Sequence, residues 1–119
     1  KRWKELGKTG WIFNIGSVGE KSIVAPNPEF ETYRVSKAAL SHASKQCTQA
    51  FKQGLVSFRT TLITPDRLDT PLTQSRDNWT GNAVSCQDIV KFIKWCINNQ
   101  PNTVVEEVTL YVDLEYKNN

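Results

Sequence analysis

The stretch EFETYRVSKAALSHASKQCTQAFKQ, residues 29–53, fixes the reading of this chain. Tyr33, Lys37, Leu40, Ser44, Cys47 and Phe51 recur at alternating steps of four and three, the period of one helical face. Pro26 and Pro28 exclude a helix before this stretch, and Gly54 stands where a helix should stop. Shorter elements flank it. Trp11 to Ile15, between Gly10 and Gly16, reads as a buried strand. Val56 to Thr64 is rich in β-branched and aromatic residues and runs into Pro65, which predicts a second strand. After a polar loop from Asp66 to Val84, Ser85 and Asp88 resemble a capping box. Ile89, Val90, Phe92, Ile93, Cys96 and Ile97 then give a helix with a wide apolar face, ending near Asn98-Asn99 before Pro101. Val104 to Val112 is a third strand. Strands alternating with helices predict an α/β layered fold with a parallel sheet and right-handed crossovers. In such sheets functional groups gather at the C-terminal strand ends.

Bulk properties narrow the function. The 119 residues suffice for one compact domain, and an apolar fraction of 39% supports a small core. A net charge of +3 with both signs interspersed gives no reason to expect a nucleic-acid partner. The cluster Lys1, Arg2, Lys4 and Lys8 reads as a solvated helix face. No apolar run reaches membrane-span length and no signal peptide is visible, so no membrane partner is expected. Cys47, Cys86 and Cys96 fit neither a disulfide framework nor a zinc site. They read as reduced thiols of a cytoplasmic protein, and no metal site is expected. Asn78-Trp79-Thr80 matches a glycosylation acceptor, a triplet that often arises by chance. Because the first residue is Lys, the chain is expected to begin partway through a longer protein.

Tyr33 and Lys37 carry the chemistry. Four residues apart on a helix, they share a face. A tyrosine hydroxyl ordinarily loses its proton near pH ~10, and a neighbouring ammonium favours the phenolate. Such a tyrosine can exchange a proton with a carbonyl or alcohol oxygen near neutral pH. On spacing alone, an aromatic packing residue with a solvated lysine one turn on is the simpler reading. Context shifts the balance. Ser17 stands at the C-terminal end of the first strand, where its hydroxyl could hold a substrate oxygen. Residues 63–71, from Ile63 to Pro71, form a proline-bounded loop at the end of the second strand, offering backbone groups and a threonine hydroxyl to a polar ligand.

The order and spacing of these segments resemble the C-terminal half of the short-chain dehydrogenase/reductase (SDR) family, over nearly the whole chain. Asn14-Ile15-Gly16-Ser17-Val18-Gly19 resembles its catalytic-serine strand end. Tyr33-Arg34-Val35-Ser36-Lys37-Ala38-Ala39-Leu40 resembles its Tyr-x-x-x-Lys helix. Ile63 to Thr70 resembles its Pro-Gly-x-Val/Ile-x-Thr loop, and Asp88-Ile89-Val90 the opening of its last long helix. The run from Gln100 to Val108 resembles the closing strand of a branch acting on small hydroxy acids and related alcohols.

This resemblance implies a partial NAD(P)-binding Rossmann-fold domain over residues 1–119, the C-terminal portion of a three-layer parallel sheet. It implies Tyr33 as general acid/base, Lys37 beside it and on the nicotinamide ribose, and Ser17 orienting the substrate oxygen. Pro65, Asp66, Leu68 (through its backbone) and Thr70 (through its hydroxyl) would contact the nicotinamide end of NAD or NADP. The substrate would be a small alcohol or carbonyl compound, and hydride would pass between it and the nicotinamide. Two departures stand out. Asp66 replaces the usual Gly, and the Ser17-to-Tyr33 gap is longer than the family norm. The glycine-rich phosphate-binding turn and the family's catalytic Asn are expected to lie in a missing N-terminal half, with Arg2 to Leu6 ending the preceding helix. Without that half the first strand would present an unpaired edge. The isolated chain is therefore expected to be inactive and to associate, as a homo-oligomer or with a complementing N-terminal half. The helix with Ala38, Ala39, Ala43 and Ala50 would pack against a neighbouring subunit.

Two rival readings are a non-catalytic SDR-derived interaction or dimerisation module, and a hydrolase pairing Ser17 with His42. The second lacks the Gly-x-Ser-x-Gly elbow, and a lone helical histidine is more often a surface or packing residue.

Overall fold

A computed structural model describes residues 10–17, 28–68, 74–75, 81, 83–99 and 102–113, with the backbone alone for residues 28–31. The elements run β1 (Gly10–Ile15), α1 (Pro28–Lys52), β2 (Phe58–Pro65), α2 (Cys86–Asn99) and β3 (Glu107–Leu110). The strands form one sheet in the order β1-β2-β3. Both pairings are parallel, with Ile15 opposite Ile63 and Ile63 opposite Val108. The expected α/β architecture is present. Expected segments on residues 1–9, 18–27, 69–73 and 76–80 lie outside the described residues.

Each boundary has a local cause. α1 stops at a left-handed glycine: Gly54 has φ of 73°, its N–H donates to Phe51 O and the Leu55 N–H donates to Ala50 O. This pair of bonds is the Schellman cap, which satisfies the last helical carbonyls. At the start of α2, Ser85 Oγ accepts the Gln87 N–H at 3.2 Å, a serine cap on the second helical amide. β3 is shorter than the expected span from Val104 to Val112. Its approach is held by other groups: the Thr61 hydroxyl donates to Val105 O and the Leu62 N–H to Glu106 O.

β2 is the central strand, and Thr60 to Pro65 are all buried. Its two faces differ in chemistry. On one, Ile63 joins Val84 and Ile89 in a cluster against which Phe13, Ile15, Phe92, Ile93, Val108 and Leu110 pack. That is the apolar face of α2 meeting the sheet. On the other face Thr60, Leu62 and Thr64 meet α1, whose Thr48 hydroxyl donates to Thr60 O at 3.1 Å. The buried α1 side chains are Ser41, Ser44 and Thr48. Of the residues sharing the expected helical period, Ser44 lies inside and Tyr33 is exposed, and Ser41 and Thr48 are buried beside Ser44. Small hydroxyl residues let the helix approach the strand closely and satisfy some of its polar groups.

Ser44 Oγ and Thr60 Oγ1 are buried without a hydrogen-bond partner, a state that costs about 1–3 kcal/mol for each group. Ser44→Ala is expected to stabilise the fold by roughly 1 kcal/mol. Gly54→Ala is expected to destabilise it by about 1 kcal/mol because of its left-handed backbone. Urea unfolding of both variants measures this pair of opposite signs. Burial also raises the Cys96 thiol above its usual 9.0, so the folded state favours the neutral form. That contribution is complete below pH 9.0 and is lost as pH rises above it. Alkylation should accordingly reach exposed Cys86 before half-buried Cys47, and buried Cys96 last.

Candidate active site

Lys37 links the helix to the tip of the sheet. Its side chain leaves α1 half-buried, and Nζ donates to the carbonyl of Ile15 at 3.0 Å. Ile15 is the last residue of β1. The same ammonium sits 5.7 Å from the Tyr33 ring centroid, within cation–π range. One charge therefore touches both the strand end and the phenol ring. Tyr33 is 47% exposed, so its ring is not sealed in a dry core.

The strand end is shaped by Gly16. Its N–H donates to Ile63 O at 2.8 Å, which keeps it in register with β2. A Cβ there would stand 3.1 Å from Leu62 Cδ1 and 3.5 Å from Thr64 Oγ1, so the close approach favours glycine. Ser17 follows, half-buried, immediately beyond the carbonyl that Lys37 holds.

The neighbouring strand end carries the second group of expected site residues. Pro65 is fully buried as the last residue of β2. The exposed Asp66 donates its N–H to Leu110 O at 2.8 Å. Among the described residues no non-glycine has positive φ, so Asp66 in the usual glycine position holds a backbone that any residue can adopt. The carboxylate stands exposed at the rim. Leu68 forms an isolated parallel bridge with Val84, and its side chain packs on the apolar core. Thr70 lies outside the described residues. His42 is exposed on α1, with its Nε2 3.5 Å from Gln46 Nε2.

Lys37 thus reaches the C-terminal end of β1 with the Tyr33 ring beside its ammonium, Ser17 follows that strand end in the chain, and Pro65 and Asp66 lie at the adjacent end of β2. The sequence reading did not anticipate the Ile15 carbonyl as the partner of Lys37, nor a polar cluster of Lys45, Thr64 and Glu107 behind the rim. A glutamate within the closing strand and threonines within the central one were the available signals.

Lys37→Ala should lower stability by about 1 kcal/mol, the usual net contribution of such a bond. Tyr33→Phe should change it by less than about 0.5 kcal/mol, as expected for an exposed group. Thermal or urea unfolding measures both, and a neutral Lys37→Ala would show that the Ile15 bond does not hold the helix.

No protein-family model and no curated protein matches the chain. Solved structures do. A 4-hydroxyisoleucine dehydrogenase complexed with NADH is 29% identical, with a TM-score of 0.67 over 94% of this chain and 48% of that one. The same enzyme complexed with NADH and succinate is 30% identical, with a TM-score of 0.64 and the same coverage. A short chain dehydrogenase/reductase family protein is 23% identical, with a TM-score of 0.66 over 93% of this chain and 46% of the other, a likeness of fold alone. The chain spans about half the length of the structures it matches. In fold it is similar to about half of a short-chain dehydrogenase/reductase.

Proposed function

We propose that this chain is the acid/base and nicotinamide-facing half of an NAD(P)-dependent oxidoreductase acting on a small alcohol or carbonyl compound. The observation that supports this reading most is the Lys37 ammonium bound to Ile15 O at the strand tip and set against the Tyr33 ring. The similar 4-hydroxyisoleucine dehydrogenase is complexed with NADH.

The donor set suits the nicotinamide end of such a cofactor. An ammonium, an accessible phenol and a backbone fixed by the Asp66–Leu110 bond lie along one rim. Among the described residues no glycine-rich turn joins a strand to a helix, so nothing there suits the pyrophosphate. Turnover on this reading needs a dinucleotide-binding half, in the same polypeptide or beside it, and the 119 residues alone are inactive.

When bound, the nicotinamide would supply or accept hydride. Tyr33 gives a proton to the substrate oxygen during reduction and takes it back during oxidation. Ser17 holds that oxygen by hydrogen bond. Lys37, held by Ile15 O, keeps its charge beside the ring and meets the nicotinamide ribose. Pro65, Asp66, Leu68 (through its backbone) and Thr70 would border the nicotinamide. Partner contacts of this half are a complementing half or a second copy along α1.

The test compares NADH fluorescence and NADH oxidation by a panel of small aldehydes and ketones, for the chain alone and joined to a dinucleotide-binding half. The chain alone should bind NADH too weakly to change its fluorescence and should not turn over, and the joined protein should change that fluorescence and turn over. There, Tyr33→Phe should lower turnover by roughly 10²–10⁴-fold with NADH affinity unchanged. Lys37→Ala should weaken both. Retained turnover in Tyr33→Phe would remove Tyr33 as acid/base, and absence of NADH binding in both forms would favour a non-catalytic interaction module.

A further inference from the structure

Behind the rim lies a polar cluster that the functional reading does not use. Glu107, on β3, has a side chain only 19% exposed. Its Oε1 accepts the Thr64 hydroxyl at 3.1 Å, and its Oε2 lies 3.2 Å from the ammonium of Lys45 on α1. One carboxylate therefore ties together α1, β2 and β3. Each tie leads towards the candidate site. Thr64 is fully buried, directly precedes Pro65, and its Oγ1 stands 3.5 Å from where a Cβ on Gly16 would be. Lys45 lies eight residues after Lys37 on the same helix, a rise of about 12 Å.

Among the described residues the buried side chains of α1 are Ser41, Ser44 and Thr48, with Leu40, Cys47 and Phe51 half-buried beside them. Apolar contact is non-directional, whereas charge-assisted hydrogen bonds carry geometric specificity. Among the described residues three directional polar contacts join α1 to the sheet: Lys37 to Ile15 O, Lys45 to Glu107, and Thr48 to Thr60 O. With Lys45 43% exposed, the ion pair is partly screened and adds little stability. Its consequence is geometric.

We infer that Glu107 is a positioning residue: by holding Lys45 and Thr64 together it sets how α1 lies on the sheet, and so where Lys37 and Tyr33 stand relative to the β1 tip. The consequence for turnover rests on the oxidoreductase reading; the geometric coupling does not.

Two readouts separate these claims. In the whole chain, Glu107→Gln keeps the side-chain volume and an acceptor for Thr64 but removes the charge facing Lys45. Nitrogen-15 NMR should then show the Lys37 ammonium and the Gly16 amide shifted from their wild-type positions. Lys45→Gln, at a half-exposed position tolerant of change, should shift the same signals, and Lys45→Arg should leave them near wild type. A fall in melting temperature with the Lys37 and Gly16 signals unmoved in both charge-removing variants would overturn the inference. If Glu107→Gln fails to fold, Lys45→Gln decides alone.

In the protein joined to a dinucleotide-binding half, both charge-removing variants should lower kcat about tenfold or more, as small misplacements of reacting groups do, with little change in KM. Unchanged kcat in an active protein would also overturn the inference. Coupled NMR shifts in a joined protein that has no turnover even as wild type would instead keep the positioning role and remove the oxidoreductase reading.

Discussion

The candidate site depends on one charge-assisted hydrogen bond, from the Lys37 ammonium to the carbonyl of Ile15. It spans 22 residues of sequence and joins the long helix to the tip of the first strand. The strand offers that carbonyl because its ladder with β2 continues through Gly16, whose N–H donates to Ile63 O. Gly16 can follow this path because no side chain meets Leu62. Tyr33 then stands one turn before Lys37 with the ammonium near its ring. Without the bond, the tyrosine and the serine of the neighbouring strand end would have no shared reference point.

The two faces of the sheet solve their packing differently. Against α2, burial is apolar and spread over many side chains, led by Ile63, Val84 and Ile89. Such a face is stable but indifferent to small rotations of the helix. Against α1, the buried groups are Leu62 and a set of serine and threonine hydroxyls, two of which, on Ser44 and Thr60, lack partners. This costs stability and leaves orientation to directional bonds. A helix that must carry an acid/base pair to a fixed place is better served by the second arrangement. The distribution of chemistry across the central strand, Ile63 on one side and Thr60 and Thr64 on the other, is the sequence-level origin of that difference.

Much of this could be read in the chain before any coordinates. Gly54, Pro65 and Ser85 punctuate the elements because each does a distinct local job: a left-handed cap, the end of a ladder and a helix N-cap. Alternation of apolar strands and helices then leaves few topologies. Tyr33 and Lys37 were visible through their spacing. What was hidden is tertiary. No local pattern says that Lys37 will reach a carbonyl 22 residues earlier, or that Glu107 will meet Lys45 across the sheet. The buried positions of α1 were not legible because Ser41, Ser44 and Thr48 are polar and carry no apolar periodicity. The third strand was taken as too long because side-chain bonds from β2 to residues before Glu107 look, in sequence, like strand.

The proposed ligand of this chain is the nicotinamide end of a dinucleotide, and the arrangement around Lys37 is what supports that proposal. The most direct measurement uses a probe consisting of that end alone: saturation-transfer NMR of the 119-residue chain with reduced nicotinamide mononucleotide. The account predicts transfer to the nicotinamide and ribose protons, and its loss in Lys37→Ala. No transfer with the wild-type chain, or equal transfer with the variant, would contradict it.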